Sequence, residues 1–373
     1  MSAFSHLLRR PFSTVNLNHL YKEKNIVKLV DSFKKNTQNP DFRKKASYYE
    51  FIVQQLTRAK AVGLIEETLN DQKKYVETSN EGFAVRLISL YGKSGLFNHA
   101  HQLFDEMPEL KSERTVKSFN ALLGACVSCK EFDKVNGFFR ELPKKLGIKP
   151  DVVSYNTVIK GFCEMGSLDL AAAMLDEMEK EGVTPDLITF NSLLDGFYKK
   201  RRFLEGEKMW GMMEKYNVVP DIISYNMRLL GLVLQDKMQE AVEFVEEIKN
   251  VELTPDKFTY NFLFKGFCCN RKYLEQAKSW YSAMVKTNCE PDNATFATLL
   301  PYACSNGDFQ FAARLSRRLF HRRLRLRDVS MVQRVIDGLM KQSEVNEAML
   351  LLQLGRDSKV SCYRSLRMRN PKN

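Results

Sequence analysis

Residues 151–166 read DVVSYNTVIKGFCEMG, and residues 186–200 and 256–270 repeat the plan as DLITFNSLLDGFYKK and DKFTYNFLFKGFCCN. Each stretch begins with an aspartate that follows a proline. The pair stands at Pro150-Asp151, Pro185-Asp186, Pro220-Asp221, Pro255-Asp256 and Pro291-Asp292, at spacings of 35, 35, 35 and 36 residues. A fixed period of this length marks a tandem array of small supersecondary units.

In the block from Val152 to Asp186, Tyr155, Val158, Ile159 and Phe162 fall at i, i+3, i+4 and i+7, one apolar face of a helix. Gly166 ends that helix. A second begins near Leu168, with Ala171, Leu175 and Met178 facing inward, and Gly182 and Pro185 stop it. One such hairpin cannot bury its apolar face alone, so neighbours must stack into a shared core. A small residue recurs at the centre of the second helix as Ala100, Ala171, Ala241, Ala277, Ala312 and Ala348, with Val135 and Gly206 in two other blocks. It lets two helices approach closely.

The register extends to blocks beginning near Ala46, Glu81, Val116, Val152, Leu187, Ile222, Lys257, Asn293 and Val329. The expected fold is all-α, an α-solenoid superhelix of tandem antiparallel helix-turn-helix repeats. Residues 15–45 form a leading helical region, 46–115 two degenerate repeats, 116–292 five well-formed repeats, 293–363 two degenerate repeats and 364–373 a basic tail. Atypical ends suit a solenoid, whose terminal faces meet water.

Charge narrows the partner. The 373 residues carry a net charge of +12, which favours an anionic surface such as RNA, DNA or a membrane. No uninterrupted apolar run approaches the ~18 residues of a membrane span. Eight cysteines lack the spacing of a disulfide framework. Cys126 and Cys129 form a lone CxxC without the second ligand pair that zinc requires, so buried thiols in a reducing compartment are expected, with neither metal nor cofactor. From Met1 to Lys22 there is no acidic residue, while Arg9, Arg10 and three serines accompany Phe4, Leu7 and Leu8. That composition predicts a mitochondrial transit peptide over residues 1–14 and residence in the matrix.

The period, the Tyr/Phe-Asn pair, the Gly-Phe-Cys turn and the Pro-Asp ending resemble the P class of the pentatricopeptide repeat family. The resemblance covers about 85% of the chain. The stretches EGFAVRLISLYGKSGLFNHAHQLFDEMP (81–108), FNALLGACVSCKEFDKVNGFFRELPKKLGIKPD (119–151) and ATFATLLPYACSNGDF (294–309) are similar to small plant mitochondrial members that sit on the ribosome. No deaminase HxE…PCxxC signature or dense acidic cluster accompanies the repeats, so the chain is read as a binder and not an enzyme.

The resemblance implies one base per repeat, read by the fifth and last residues. These are Asn120, Asn156, Asn191, Asn226 and Asn261, with Asp151, Asp186, Asp221, Asp256 and Asp292. An asparagine amide offers both donor and acceptor to a base edge. Asn is also a poor helix former, so five in register call for a cause: base contact, or a buried hydrogen bond between repeats. The aspartates suit helix capping as well as base reading. The second positions Val153, Ile188, Ile223 and Phe258 would flank the bases or pack between repeats. In the family, Asn with Asp favours uridine, then cytidine, which implies a short pyrimidine-rich site. Val85 and Ala297 replace the asparagine in flanking repeats. At the thirteenth position, phosphate-facing lysine in the family, Lys93, Lys199 and Lys341 stand, but Glu164 and Leu234 replace it elsewhere.

The densest positive charge is RLSRRLFHRRLRLR at residues 314–327, with Arg314, Arg317, Arg318, Arg322, Arg323, Arg325 and Arg327. Arginine pairs bidentately with phosphate, which suits docking on structured RNA. Arg364, Arg367, Arg369 and Lys372 carry the trend into the tail. The leading expectation is a protein that binds rRNA among mitochondrial ribosomal proteins and supports translation. The rivals are a factor that stabilises or processes one mitochondrial mRNA, and a scaffold that binds protein in its groove. The sequence leaves the oligomeric state open.

Overall fold

In a computed structural model, residues 21–76 and 80–368 are described, and all their regular structure is helical. The expected transit segment, Arg369 and Lys372 lie outside the described residues. The chain divides into two compact units, up to Thr184 and from Pro185 onward. Within each unit, hairpins pack against their neighbours in sequence.

In the first unit, helix α1 (Ile26–Asn36) and the short α2 (Pro40–Arg43) lead into four hairpins. These are α3 and α4 (Ala46–Arg58, Val62–Gln72), α5 and α6 (Glu81–Lys93, Phe97–Glu106), α7 and α8 (Val116–Ser128, Phe132–Leu146), and α9 and α10 (Val152–Met165, Leu168–Lys180). The second unit holds α11 and α12 (Leu187–Lys199, Phe203–Lys215), α13 and α14 (Ile222–Leu234, Met238–Asn250), and α15 and α16 (Lys257–Phe267, Leu274–Lys286). It continues with α17 and α18 (Asn293–Ser305, Phe309–His321) and α19 and α20 (Ser330–Lys341, Val345–Asp357), then a 3-10 turn, Ser361–Ser365. The block starts read from the period coincide with helix starts, except that α19, the first helix of the ninth block, begins one residue later, at Ser330.

Local chemistry explains the punctuation. Gly166 closes α9 in the left-handed region at φ 91°, where a Cβ would be strained. The same register position is left-handed in other repeats without glycine, at Lys130, Arg201 and Asp236. Five first helices bury an aromatic fourth residue, at Phe119, Tyr155, Phe190, Tyr260 and Phe296, and Tyr225 is half-buried at the same position. The small residues at the centre of the second helices, from Ala100 to Ala348, are fully buried. At Gly206 the reason is visible: an added Cβ would sit 2.7 Å from the ring of Tyr198. That ring also fills the space over Gly231 in the next repeat, 2.5 Å from where a Cβ would stand. Tyr198 is thus clamped between two glycines, and its hydroxyl donates to Glu207 at 2.6 Å.

Candidate nucleic-acid interface

The register positions singled out by the sequence meet at the joints between first helices. Asn120 donates its amide N–H to Asp151 (3.0 Å), Asn191 to Asp221 (3.2 Å), Asn226 to Asp256 (3.0 Å) and Asn261 to Asp292 (3.2 Å). Each amide oxygen accepts a hydroxyl from the next repeat: Ser154 to Asn120 at 2.5 Å, Ser224 to Asn191 at 2.6 Å, Thr259 to Asn226 at 2.7 Å and Thr295 to Asn261 at 2.8 Å. Each aspartate in turn caps its helix, accepting from the backbone N–H of that same Ser or Thr at 2.9–3.0 Å. Asp186 caps its helix through Thr189 N–H in the same way, at 2.9 Å. Asn156 is buried.

A closed triangle of Asn, Asp and Ser/Thr therefore fastens consecutive repeats, and the inter-repeat hydrogen bond that the asparagines allowed is present at four joints. It leaves one amide N–H and one oxygen lone pair of each asparagine for anything further. The third-position hydroxyls were not among the residues expected to matter. Their signal was in the quoted stretches: Asp-x-x-Ser and Asp-x-x-Thr are reciprocal capping boxes, and they close at Asp151, Asp186, Asp221, Asp256 and Asp292.

The electrostatics follow the hydrogen bonds. Burial works against the Asp151 carboxylate, but donation from Asn120, Ser154 and Val153 outweighs it and holds the pKa below the ordinary value. Asp292 is depressed likewise, burial opposed by Thr295, Asn261 and Ala294. Where Thr115 replaces the aspartate it still caps its helix, accepting from Lys117 N–H at 3.2 Å, and Glu81 from the preceding repeat joins it. Glu81 accepts from Thr115 N–H (3.0 Å), Thr115 Oγ1 (2.8 Å) and Ser118 N–H (3.2 Å). Its pKa is lowered too, burial again being outweighed by these donors.

Beside the triangles stand large apolar side chains that the core does not use. Val153, Ile188, Ile223 and Phe258 are 51, 62, 51 and 53% exposed. Among the lysines, Lys93 reaches Glu50 at 3.7 Å and Lys199 pairs with Asp195 at 2.7 Å, so both positive charges have an acidic neighbour.

The arginine segment divides in two. Arg317 pairs with Glu347 at 3.0 Å, Arg318 with Glu290 at 3.3 Å, and Arg322 with Glu290 as well as the Pro291 carbonyl (2.6 Å). The sequence placed only Asp308 near these arginines before Asp328. The fold brings in Glu290 and Glu347 from the neighbouring loop and the last hairpin, so these three guanidinium groups serve internal bridges. Arg314, Arg323, Arg325 and Arg327 remain exposed.

The cysteines are free thiols. Burial pushes Cys126 up to about 12, so it is not a thiolate at neutral pH, and no group of three or more metal-ligating side chains occurs among the described residues. No helix among them is long and apolar enough to cross a membrane.

Several known proteins are similar to this chain. The model of the PPR repeat family matches residues 114–163, 150–199, 185–234 and 220–269, and a PPR repeat model matches 86–112. Small ribosomal subunit protein mS79 (rPPR3b) of Arabidopsis thaliana is 51% identical over 153 residues, 41% of this chain and 39% of that protein. Small ribosomal subunit protein mS78 (rPPR3a) of the same plant is 50% identical over 159 residues, 43% and 40% of the two chains. A mitochondrial pentatricopeptide repeat-containing protein of that plant is 37% identical over 171 residues, 46% of this chain and 43% of its own. The chain thus spans about two fifths of the length of these curated relatives. Among solved structures, pentatricopeptide repeat protein PPR10 from maize shares the fold at a TM-score of 0.50, with 18% identity, over 91% of this chain and 57% of that one.

Proposed function

Since the repeats of this chain belong to the PPR repeat family, we propose that it binds single-stranded RNA along the first-helix face of those repeats, as a component of, or factor on, the mitochondrial ribosome. One observation carries the reading: an exposed apolar side chain lies beside a polar Asn–Asp pair in successive repeats. Base faces stack on such apolar surface, and the remaining amide N–H and lone pair can meet a base edge. The net charge of +12 supplies attraction to phosphate. The ribosomal part rests on the similarity to mS79 and mS78, whose names place them in the small subunit, and the mitochondrial part on relatives such as the one described above. On this reading the chain holds and positions RNA and catalyses nothing.

Two measurements test it. Purified protein should prefer oligo-U to oligo-A, and equal affinity for the two would remove base reading. In a magnesium-containing gradient of mitochondrial lysate the protein should travel with ribosomal particles. Recovery at the top of the gradient, with crosslinks to one mRNA, would instead favour the transcript-specific factor.

A further inference from the structure

The pattern Arg-x-Arg-x-x-Ser occurs once in the chain, at Arg325, Arg327 and Ser330. Among the described residues one other serine, Ser89, has an arginine three positions before it, at Arg86. Ser89 lies within α5, and its hydroxyl donates to the Val85 carbonyl at 2.9 Å. Ser330 is placed differently: it is exposed and is the first residue of α19. Val329, the cap residue, makes no side-chain bond to that helix, and the first turn holds no acidic residue. The Ser330 backbone N–H donates to Asp328 at 2.9 Å. A first turn without a side-chain cap from its N-cap residue opens at small cost.

The two arginines stand where another protein can read them. Leu326 is buried at 5%, while Arg325 and Arg327 on either side of it are exposed. Tyr363, from the 3-10 turn after the last hairpin, holds Leu326 in place, its hydroxyl accepting from the Leu326 N–H. Both guanidinium groups are therefore offered outward while Leu326 keeps its seat. Arg334, also exposed, follows Ser330 by four residues on α19, a spacing at which side chains on a helix meet. Arginines thus precede this hydroxyl by three and five residues and follow it by one turn.

We propose that Ser330 is a phosphorylation site for an arginine-directed Ser/Thr kinase. Carboxylates of such an enzyme bind guanidinium groups that precede the hydroxyl, a charge pattern that sets its choice of substrate. In the step, Ser330 Oγ attacks the γ-phosphorus of a nucleoside triphosphate. An Oγ–P bond forms, the bond from that phosphorus to the leaving diphosphate breaks, and the hydroxyl proton passes to the catalytic carboxylate of the kinase. The product carries a charge of about −1.5 to −2 at pH 7. It stands at a helix N-terminus, where an anion is favoured, and one turn from Arg334, so α19 gains the cap that Val329 does not supply. It also opposes Arg325 and Arg327, which on the RNA-binding reading attract the phosphate backbone. One event thereby steadies the last hairpin and weakens RNA attachment at this end. The modification stands on the serine and its arginines, and its effect on RNA rests on the RNA-binding reading.

The test incubates the full chain with an arginine-directed Ser/Thr kinase and γ-labelled ATP, followed by peptide mapping. Phosphate should appear on the peptide that carries Ser330 and be absent from it in Ser330→Ala. Arg325→Gln/Arg327→Gln should slow that uptake roughly tenfold or more, through lost charge-assisted contacts with the kinase. The phosphorylated chain should bind oligo-U about tenfold more weakly, and the slope of log K against log salt should drop by about 1.4, the share of two phosphates on a single strand. Its melting temperature should not fall. A folded chain that takes no phosphate at Ser330, beside a control substrate that does, would overturn the proposal, as would equal uptake in the arginine variant. Phosphorylation that leaves a measurable RNA affinity and its slope unchanged would overturn the effect on RNA. A chain that binds no RNA in either form would overturn the RNA-binding reading, while phosphate on Ser330 would still uphold the site.

Discussion

The Asn226 amide and the Asp256 carboxylate, thirty residues apart in the chain, lie 3.0 Å apart across the joint between two repeats, and Asn226 is only 2% exposed. The pair is at once the proposed base reader and a fastening between helices. Replacing Asn226 with Ala removes the donor to Asp256 and the acceptor for Thr259 Oγ1 together. Leaving buried partners unmet costs about 1–3 kcal/mol. Urea unfolding of Asn226→Ala should show a lower midpoint with an unchanged m-value. A midpoint equal to wild type would mean that the triangle contributes nothing to stability.

The neighbouring Phe258 should behave in the opposite way. Half-exposed, it contributes little to folding, so Phe258→Ala should shift the urea midpoint by ~0.5 kcal/mol or less. If it stacks on a base, its loss should weaken oligo-U binding roughly 5- to 150-fold. Filter binding beside the unfolding curve separates the two effects. A stability loss without an affinity loss would make Phe258 a packing residue.

Gly231 and Asp236 predict substitutions of opposite sign. Alanine usually stabilises a helix over glycine by about 1 kcal/mol. At 231 the new methyl would meet the Tyr198 ring at 2.5 Å, so Gly231→Ala should destabilise by about 1–3 kcal/mol. Asp236 holds φ 61°, so Asp236→Gly should gain about 0.5 kcal/mol. Differential scanning calorimetry reads both, and a higher melting temperature for Gly231→Ala would contradict the clamp on Tyr198.

Acid should loosen the array through its caps. Asp151, Asp292 and Glu81 have depressed pKa values in the fold, so the unfolded chain takes up their protons first. Their stabilisation is present above the unfolded carboxylate values near ~4 and is lost as pH falls through the lower folded values. Melting temperature followed from pH 7 to pH 3 should decline below about pH 4.5. In the Asp151→Asn/Asp292→Asn/Glu81→Gln variant that decline should be shallower. An equally steep fall would assign the acid sensitivity to other carboxylates.

The bridged arginines should matter for stability and not for RNA. Arg317→Gln, Arg318→Gln and Arg322→Gln break pairs with Glu347 and Glu290 that are half withdrawn from water. Each should lower the unfolding midpoint modestly, by up to about 1 kcal/mol, and leave the salt slope of RNA binding near wild type. A slope flattened by about 0.7 for each lost arginine would return the whole segment to a phosphate-facing role.

How much of this was legible in the sequence depended on distance along the chain. Period, helix faces and stops such as Gly166 and Gly182 are local, and helix limits follow from them within a residue or so. The cap of Asp151 on Ser154 is three residues long and stood in plain view. The Asn120–Asp151 and Ser154–Asn120 bonds join residues 31 and 34 apart, so the sequence favoured base reading and left repeat joining as the alternative. Arg317 and Arg318 looked unopposed for a similar reason: Glu347 and Glu290 lie 30 residues after and 28 before them. The course of the 324–327 segment was not legible either, because Tyr363 sets it from another element, its hydroxyl donating to the Leu324 carbonyl at 2.8 Å and accepting from the Leu326 N–H at 3.1 Å.

Tyr363 also carries an implication for how the protein is made. Leu326 depends on a hydroxyl 37 residues further along, so the 324–327 segment leaves the ribosome well before the residue that holds it. Every earlier joint can close as soon as the next repeat has emerged. This one must wait, and during synthesis the arginines there are tethered only by their own chain. The segment with most positive charge is thus the one whose geometry is decided latest, after the repeats that precede it already have what they need to fold.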